Sequence, residues 1–140
     1  MVEVLIDAAG QMLPCVPVIS VIPRSEDMTL AELAAVLLSP AAFEYFRMTK
    51  AGSGLSTSAI KVSAADLRSL PAPADLTPVR TAGSLLGQLS DRAVRDQFRL
   101  LMNRAYSLPC ELGDEWETVF ASYLSKSSAG LGIIEHSVAG

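Results

Sequence analysis

Thr29-Leu30-Ala31-Glu32-Leu33-Ala34-Ala35-Val36-Leu37-Leu38-Ser39-Pro40 carries the most legible local structure in the chain. Thr29 followed three residues later by Glu32 is a capping-box arrangement, which predicts a helix start. Leu30, Leu33, Ala34, Leu37 and Leu38 then recur at spacings of three and four, the period of one helix face. Ser39-Pro40 ends that helix and opens another, with Ser39 as cap and Pro40 at the first helical position, where a missing N–H costs nothing. The second helix carries Ala41 to Met48, and its large side chains Phe43 and Phe46 read as core.

Downstream, Ala51-Gly52-Ser53-Gly54 predicts a loop that continues into Leu55-Ser56-Thr57-Ser58. Ile60-Lys61-Val62 reads as a short strand, Ser63 as the cap of a turn over Ala64 to Ser69 with Asp66 at its third position, and Leu70-Pro71-Ala72-Pro73 as an extended close. Pro73 to Pro78 reads as a linker. Val79 to Tyr106 has helical spacing throughout, as one long helix or a broken pair, with Ser90-Asp91 able to cap the second piece. Arg92, Arg95 and Arg99 share a face of it. A last helix starts near Asp114 and carries Trp116, Val119, Phe120, Tyr123 and Leu124 on one side. Upstream, Val2 to Ile6 and the β-branched run Val16 to Ile22 read as two strands, paired or adjacent, with Pro23 closing the second. The expected fold class is therefore α+β: a small N-terminal strand pair or sheet packed with helices, followed by a helical C-terminal half. The expected division is an α+β segment at 1–74, a helical segment of the same domain at 75–125, and a flexible tail at 126–140.

Composition narrows the function classes. The chain has 140 residues, half of them apolar and 19% charged, which suits one globular domain able to bury a core without staples. A mean hydropathy of +0.35 suggests apolar surface meant for a partner. No run of 18 apolar residues is present and the Met-Val-Glu-Val start lacks a signal-peptide pattern, so the expectation is a cytoplasmic chain with no membrane partner. Cys15 and Cys110 read as unpaired, buried thiols of a reducing compartment. The net charge of −4 is unevenly spread: residues 1–39 hold five acids and one base, residues 40–110 nine bases and five acids, and residues 111–140 five acids and one base. A mildly basic centre between acidic ends can face phosphates.

No catalytic centre, cofactor site or metal site is legible. The single histidine, His136, lies near the end of the chain, and no close cysteine pair exists. The Gly52-Ser53-Gly54 loop lacks the Gly-Lys-Ser/Thr ending of a nucleotide P-loop and follows a helix where a dinucleotide fingerprint needs a strand. Its neighbours give it another chemistry. Arg47 and Lys50 precede it, Ser56, Thr57 and Ser58 follow, and Lys61 comes next. Small residues let a backbone approach a phosphate, hydroxyls and amides bond its oxygens, and the bases supply charge. The candidate DNA-contacting residues are Arg47, Lys50, Gly52, Ser53, Gly54, Ser56, Thr57, Ser58 and Lys61.

The order of phrases resembles a known family. Ala35-Val36-Leu37-Leu38-Ser39-Pro40, Phe43-Glu44-Tyr45-Phe46, Ala51-Gly52-Ser53-Gly54-Leu55, Ile60-Lys61-Val62-Ser63, Ala65-Asp66-Leu67 and Leu70-Pro71-Ala72-Pro73 resemble the C-terminal target-recognition (specificity) region of bacterial adenine-N6 DNA methyltransferases and restriction-modification enzymes. Upstream, Pro17 to Pro23 resembles the strand that precedes this block, and downstream Phe98 to Tyr106 and Trp116 resemble the tail of some members, so the likeness covers roughly residues 5–125. Leu38 departs from the asparagine common at its place, and the catalytic Asn/Asp-Pro-Pro-aromatic motif and cofactor loop of such enzymes are absent from the sequence. The resemblance implies a non-catalytic DNA-reading module that contacts double-stranded DNA and acts with a methyltransferase catalytic domain or subunit. The alternative is a protein-interaction or assembly subunit of such a system without DNA binding of its own.

Overall fold

In the computed structural model the described residues are 2–15, 18–24, 26–50 and 62–126. Among the described residues six α-helices follow one another: α1 Leu30–Leu38, α2 Pro40–Lys50, α3 Ala64–Arg68, α4 Leu76–Ser84, α5 Arg92–Ala105 and α6 Asp114–Lys126. A 3-10 turn, Leu86–Gln88, joins α4 to α5.

The expected α+β class is corrected: no strand or sheet is present among the described residues. Of the first expected strand, Val2 to Leu5 are irregular and Ile6 makes an isolated bridge; of the second, Val18 to Ile22 are irregular, and residues 16 and 17 lie outside the described residues. Val62 is irregular too, while Ile60 and Lys61 lie outside the described residues. The physical reason is that strand propensity means fitness for a pleated, half-buried surface, which needs a ladder partner. Here Val4 and Ile6 pack instead against a helical core. Residues 127–140 of the expected tail, His136 included, also lie outside the described residues.

The helix starts follow local chemistry. Thr29 Oγ1 accepts from Glu32 N at 3.2 Å and Glu32 Oε2 accepts from Thr29 N at 3.1 Å, the reciprocal box that α1 was expected to have. Ser39 is a joint with two functions. Its hydroxyl donates to the Val36 carbonyl at 2.7 Å, satisfying an end of α1, and accepts from Ala42 N at 3.1 Å, capping α2. Asp91 caps α5 through Ala93 N at 2.7 Å. The expected linker at Pro73 to Pro78 is in part a helix: Asp75 accepts from Thr77 N at 2.8 Å and Pro78 sits in the first turn of α4, where a proline breaks no hydrogen bond.

The core joins four helices. Ala34, Ala35 and Leu38 of α1 meet Val79 and Ala82 of α4, Phe98, Met102 and Ala105 of α5, and Trp116 and Phe120 of α6, all buried. α4 lies between α1 and α5. Gly83 permits its close approach to α1, since a Cβ there would stand 3.3 Å from the backbone of Ala31 and Glu32. Trp116 is fully buried, stacked on Phe98 at 5.9 Å and on Phe120 at 5.0 Å between ring centres. Its indole N–H donates to the Leu38 carbonyl at 2.8 Å, one of the carbonyls that the end of α1 leaves without an intrahelical partner.

The turn between α5 and α6 is clamped from inside. Asn103 Nδ2 donates to the Pro109 carbonyl at 3.0 Å and to the Leu112 carbonyl at 2.7 Å, and the Arg99 guanidinium donates to the Cys110 carbonyl. Gly113 closes the turn at φ +119°, and a Cβ there would stand 2.8 Å from Arg99 Cδ, so both backbone conformation and space select glycine. Cys15 and Cys110 are both exposed, which corrects the expectation of buried thiols.

Trp116→Phe keeps most of the ring area but leaves the buried Leu38 carbonyl without its donor. The expected loss is about 1–3 kcal/mol for the orphaned group, with a further cavity contribution. Urea denaturation of the two proteins measures it; a midpoint indistinguishable from the parent would remove the indole hydrogen bond from the account.

Candidate nucleic-acid interface

The expected DNA-contacting residues divide into two groups. Gly52, Ser53, Gly54, Ser56, Thr57, Ser58 and Lys61 lie outside the described residues. Arg47 and Lys50 are described, in the last turn of α2. Their place suits them electrostatically, because cations near a helix C-terminus meet the negative end of its dipole.

Both bases are engaged by carboxylates. Arg47 Nε donates to Glu44 Oε2 at 2.9 Å, within α2, and Arg47 Nη1 stands 3.2 Å from Glu115 Oε2, in the first turn of α6. The hydrogen bond to Glu44, then the charges of Glu44 and Glu115, push the guanidinium further above its ordinary range. Lys50 Nζ lies 2.6 Å from Asp66 Oδ1. Asp66 is also the third residue of α3, whose side chain closes the capping box with the N-cap Ser63. Its Oδ2 accepts from Ser63 N at 2.7 Å and from Ser63 Oγ at 2.6 Å. Lys50 first, and the Ser63 hydrogen bonds after it, pull the Asp66 carboxyl down from 3.8 to about 2. This pair joins the last residue of α2 to α3 across the surface.

Arg92, Arg95 and Arg99 do not form a shared basic face. Arg95 is buried; its Nε lies 2.9 Å from Glu117 Oε1 and its Nη1 donates to the Leu89 and Ser90 carbonyls at 3.0 and 2.8 Å. Arg99 serves the α5–α6 turn, while Arg92 is exposed. The signal for Arg95 is present in the sequence: it falls three and seven residues before Phe98 and Met102, on the apolar stripe itself. Glu115, the α6 partner of Arg47, carries no such signal.

The cavity at the α1–α2 corner, lined by Leu37, Leu38, Ser39, Phe43, Phe46, Val2 and Val62, has a volume of about 20 Å³, room for a water and not for a base. Among the described residues no group of three or more His, Cys, Asp or Glu side chains could hold a metal ion, and no helix is long and apolar enough to cross a membrane. Phe46 is buried and Phe43 half-buried, so neither offers a face for base stacking. No protein-family model, curated protein or solved structure matches the chain.

Lys50→Met removes the first cause of the low Asp66 value. An NMR titration of the Asp66 carboxyl should show its midpoint rise from about 2 toward 3.8. A depressed folded pKa stabilises the fold above the unfolded value and loses that contribution as pH falls through the folded one. In the parent the α3 cap should therefore persist below pH 3.8 and fail near pH 2. An unmoved titration in the variant would mean that Ser63 alone holds the carboxylate.

Proposed function

We propose that this chain is a non-catalytic DNA target-recognition module of an adenine-N6 DNA methyltransferase or restriction-modification system, acting beside a methyltransferase catalytic domain or subunit. The observation that carries the reading is that Arg47, half exposed in the last turn of α2, stands shortly before the Gly/Ser-rich 51–61 stretch in the sequence. A stretch of small residues and hydroxyls, flanked in the sequence by cations, suits phosphate contact. The sequence phrases from Ala35 to Pro73, which resemble those of the specificity region, support the reading independently. The module supplies positioning and readout; base chemistry belongs to the partner.

A second reading, as a protein-interaction subunit without DNA contact, has an observation of its own. Leu13 is 94% exposed and Ile22 81%, and no charged residue occurs between Asp7 and Arg24. Such a segment suits an apolar protein surface better than a phosphate backbone.

Binding to a duplex across a salt series separates the two. The DNA reading predicts measurable affinity at low salt that declines linearly in log–log form as salt rises, with a slope near −0.9 per phosphate neutralised. Arg47→Gln should weaken binding to all sequences and reduce that slope by about one contact. Absence of binding at low salt, or affinity indifferent to salt, would leave the interaction reading in its place.

A further inference from the structure

The acidic end of the chain meets the basic centre at Arg47. A guanidinium has a fixed fork of five N–H donors, and a phosphate takes two of them side by side. In Arg47 the Nε and Nη2 edge faces Glu44, at 2.9 Å for each atom, and Nη1 faces Glu115 at 3.2 Å. Carboxylates thus occupy both sides of the fork. The two acids differ in how they are held. Glu44 belongs to the same helix three residues away and travels with Arg47, whereas Glu115 comes from α6. Its neighbour Trp116 is buried and tied to the Leu38 carbonyl, so the residue beside it is delivered to Arg47 by the core of the domain.

We infer that Glu115 is an autoinhibitory latch: it occupies the arginine that a DNA phosphate requires, and the isolated domain binds duplex weakly until that carboxylate is displaced or neutralised. The inference rests on the DNA reading above. The two partners are about half exposed, with side-chain exposures of 50% and 55%, so the latch is a solvated pair that a ligand can displace. A pair of this kind weakens a competitor by up to about fivefold, and the negative charge left beside an incoming phosphate adds to the effect at low salt. A catalytic partner that places a cation on Glu115 would open the site, which links assembly to DNA contact without any change of fold.

Four variants test it by fluorescence anisotropy on a labelled mixed-sequence duplex at low salt, with helix content and thermal midpoint checked by circular dichroism. Glu115→Gln should tighten binding about two- to fivefold. The same substitution on an Arg47→Gln background should give no gain over Arg47→Gln alone, because the gain is routed through Arg47. Asp114→Asn removes an equal charge one residue away, and should give less than Glu115→Gln. An equal gain from Asp114→Asn, or a gain that survives in the double variant, would make the effect one of net charge and overturn the latch. Parent binding that Glu115→Gln leaves unchanged would overturn the latch and leave the DNA reading standing. If folded parent and Glu115→Gln proteins both fail to bind, the DNA reading falls and the latch with it.

Discussion

The buried hydrogen bond from the Trp116 indole to the Leu38 carbonyl is the contact around which the domain is organised. Leu38 is the last residue of α1, and Ser39 beside it turns the chain into α2. A helix end placed in a core exposes carbonyls to a medium that cannot hydrate them, and each one left alone costs on the order of 1–3 kcal/mol. The indole answers that cost while its ring fills the space between Phe98 and Phe120. One side chain therefore satisfies the α1–α2 corner, closes the aromatic stack of α5 and α6, and sets where the first turn of α6 lies. The Asn103 and Arg99 contacts with the 109–112 carbonyls and the positive φ of Gly113 deliver Trp116 to that position.

The same placement decides the electrostatics of the surface. Charges that are segregated along the chain are interleaved in space: Glu115 and Glu117 of the acidic C-terminal stretch meet Arg47 and Arg95 of the basic centre. The local net charge of a sequence window is thus a poor guide to the field of the folded domain. Arg95 is committed to structure, since it bonds the two carbonyls that follow the 3-10 turn as well as Glu117. Arg47 keeps half of its side chain in solvent, where a ligand can reach it.

Local signals were legible and long-range ones were not. The Thr29–Glu32 box, the Ser39-Pro40 joint, the Ser63–Asp66 cap and the Asp91 and Asp114 helix starts all follow from chemistry confined to a few neighbouring residues. Val18 to Ile22 misled because β-branched side chains state a preference that only a pairing partner can realise. Asp75 and Leu76 were concealed by Pro73 and Pro78, although a proline in a first turn is compatible with a helix. Of the candidate site, Arg47 and Lys50 are legible as bases that precede the glycine-rich stretch, yet their partners Glu115 and Asp66 lie 68 and 16 residues away, beyond any periodicity. Trp116 read as one apolar face of a last helix; its role depends on a carbonyl 78 residues earlier.

Native-state hydrogen exchange, read residue by residue, tests the organising role of that contact most directly. If Trp116 joins the α1–α2 corner to α5 and α6, the interior amides of α1, of α5 and of the 116–120 stretch should open together, with one common free energy close to that of global unfolding. Exchange of α6 well ahead of α1 and α5, with its own lower free energy, would show that α6 is an independently fraying appendage and would contradict the account.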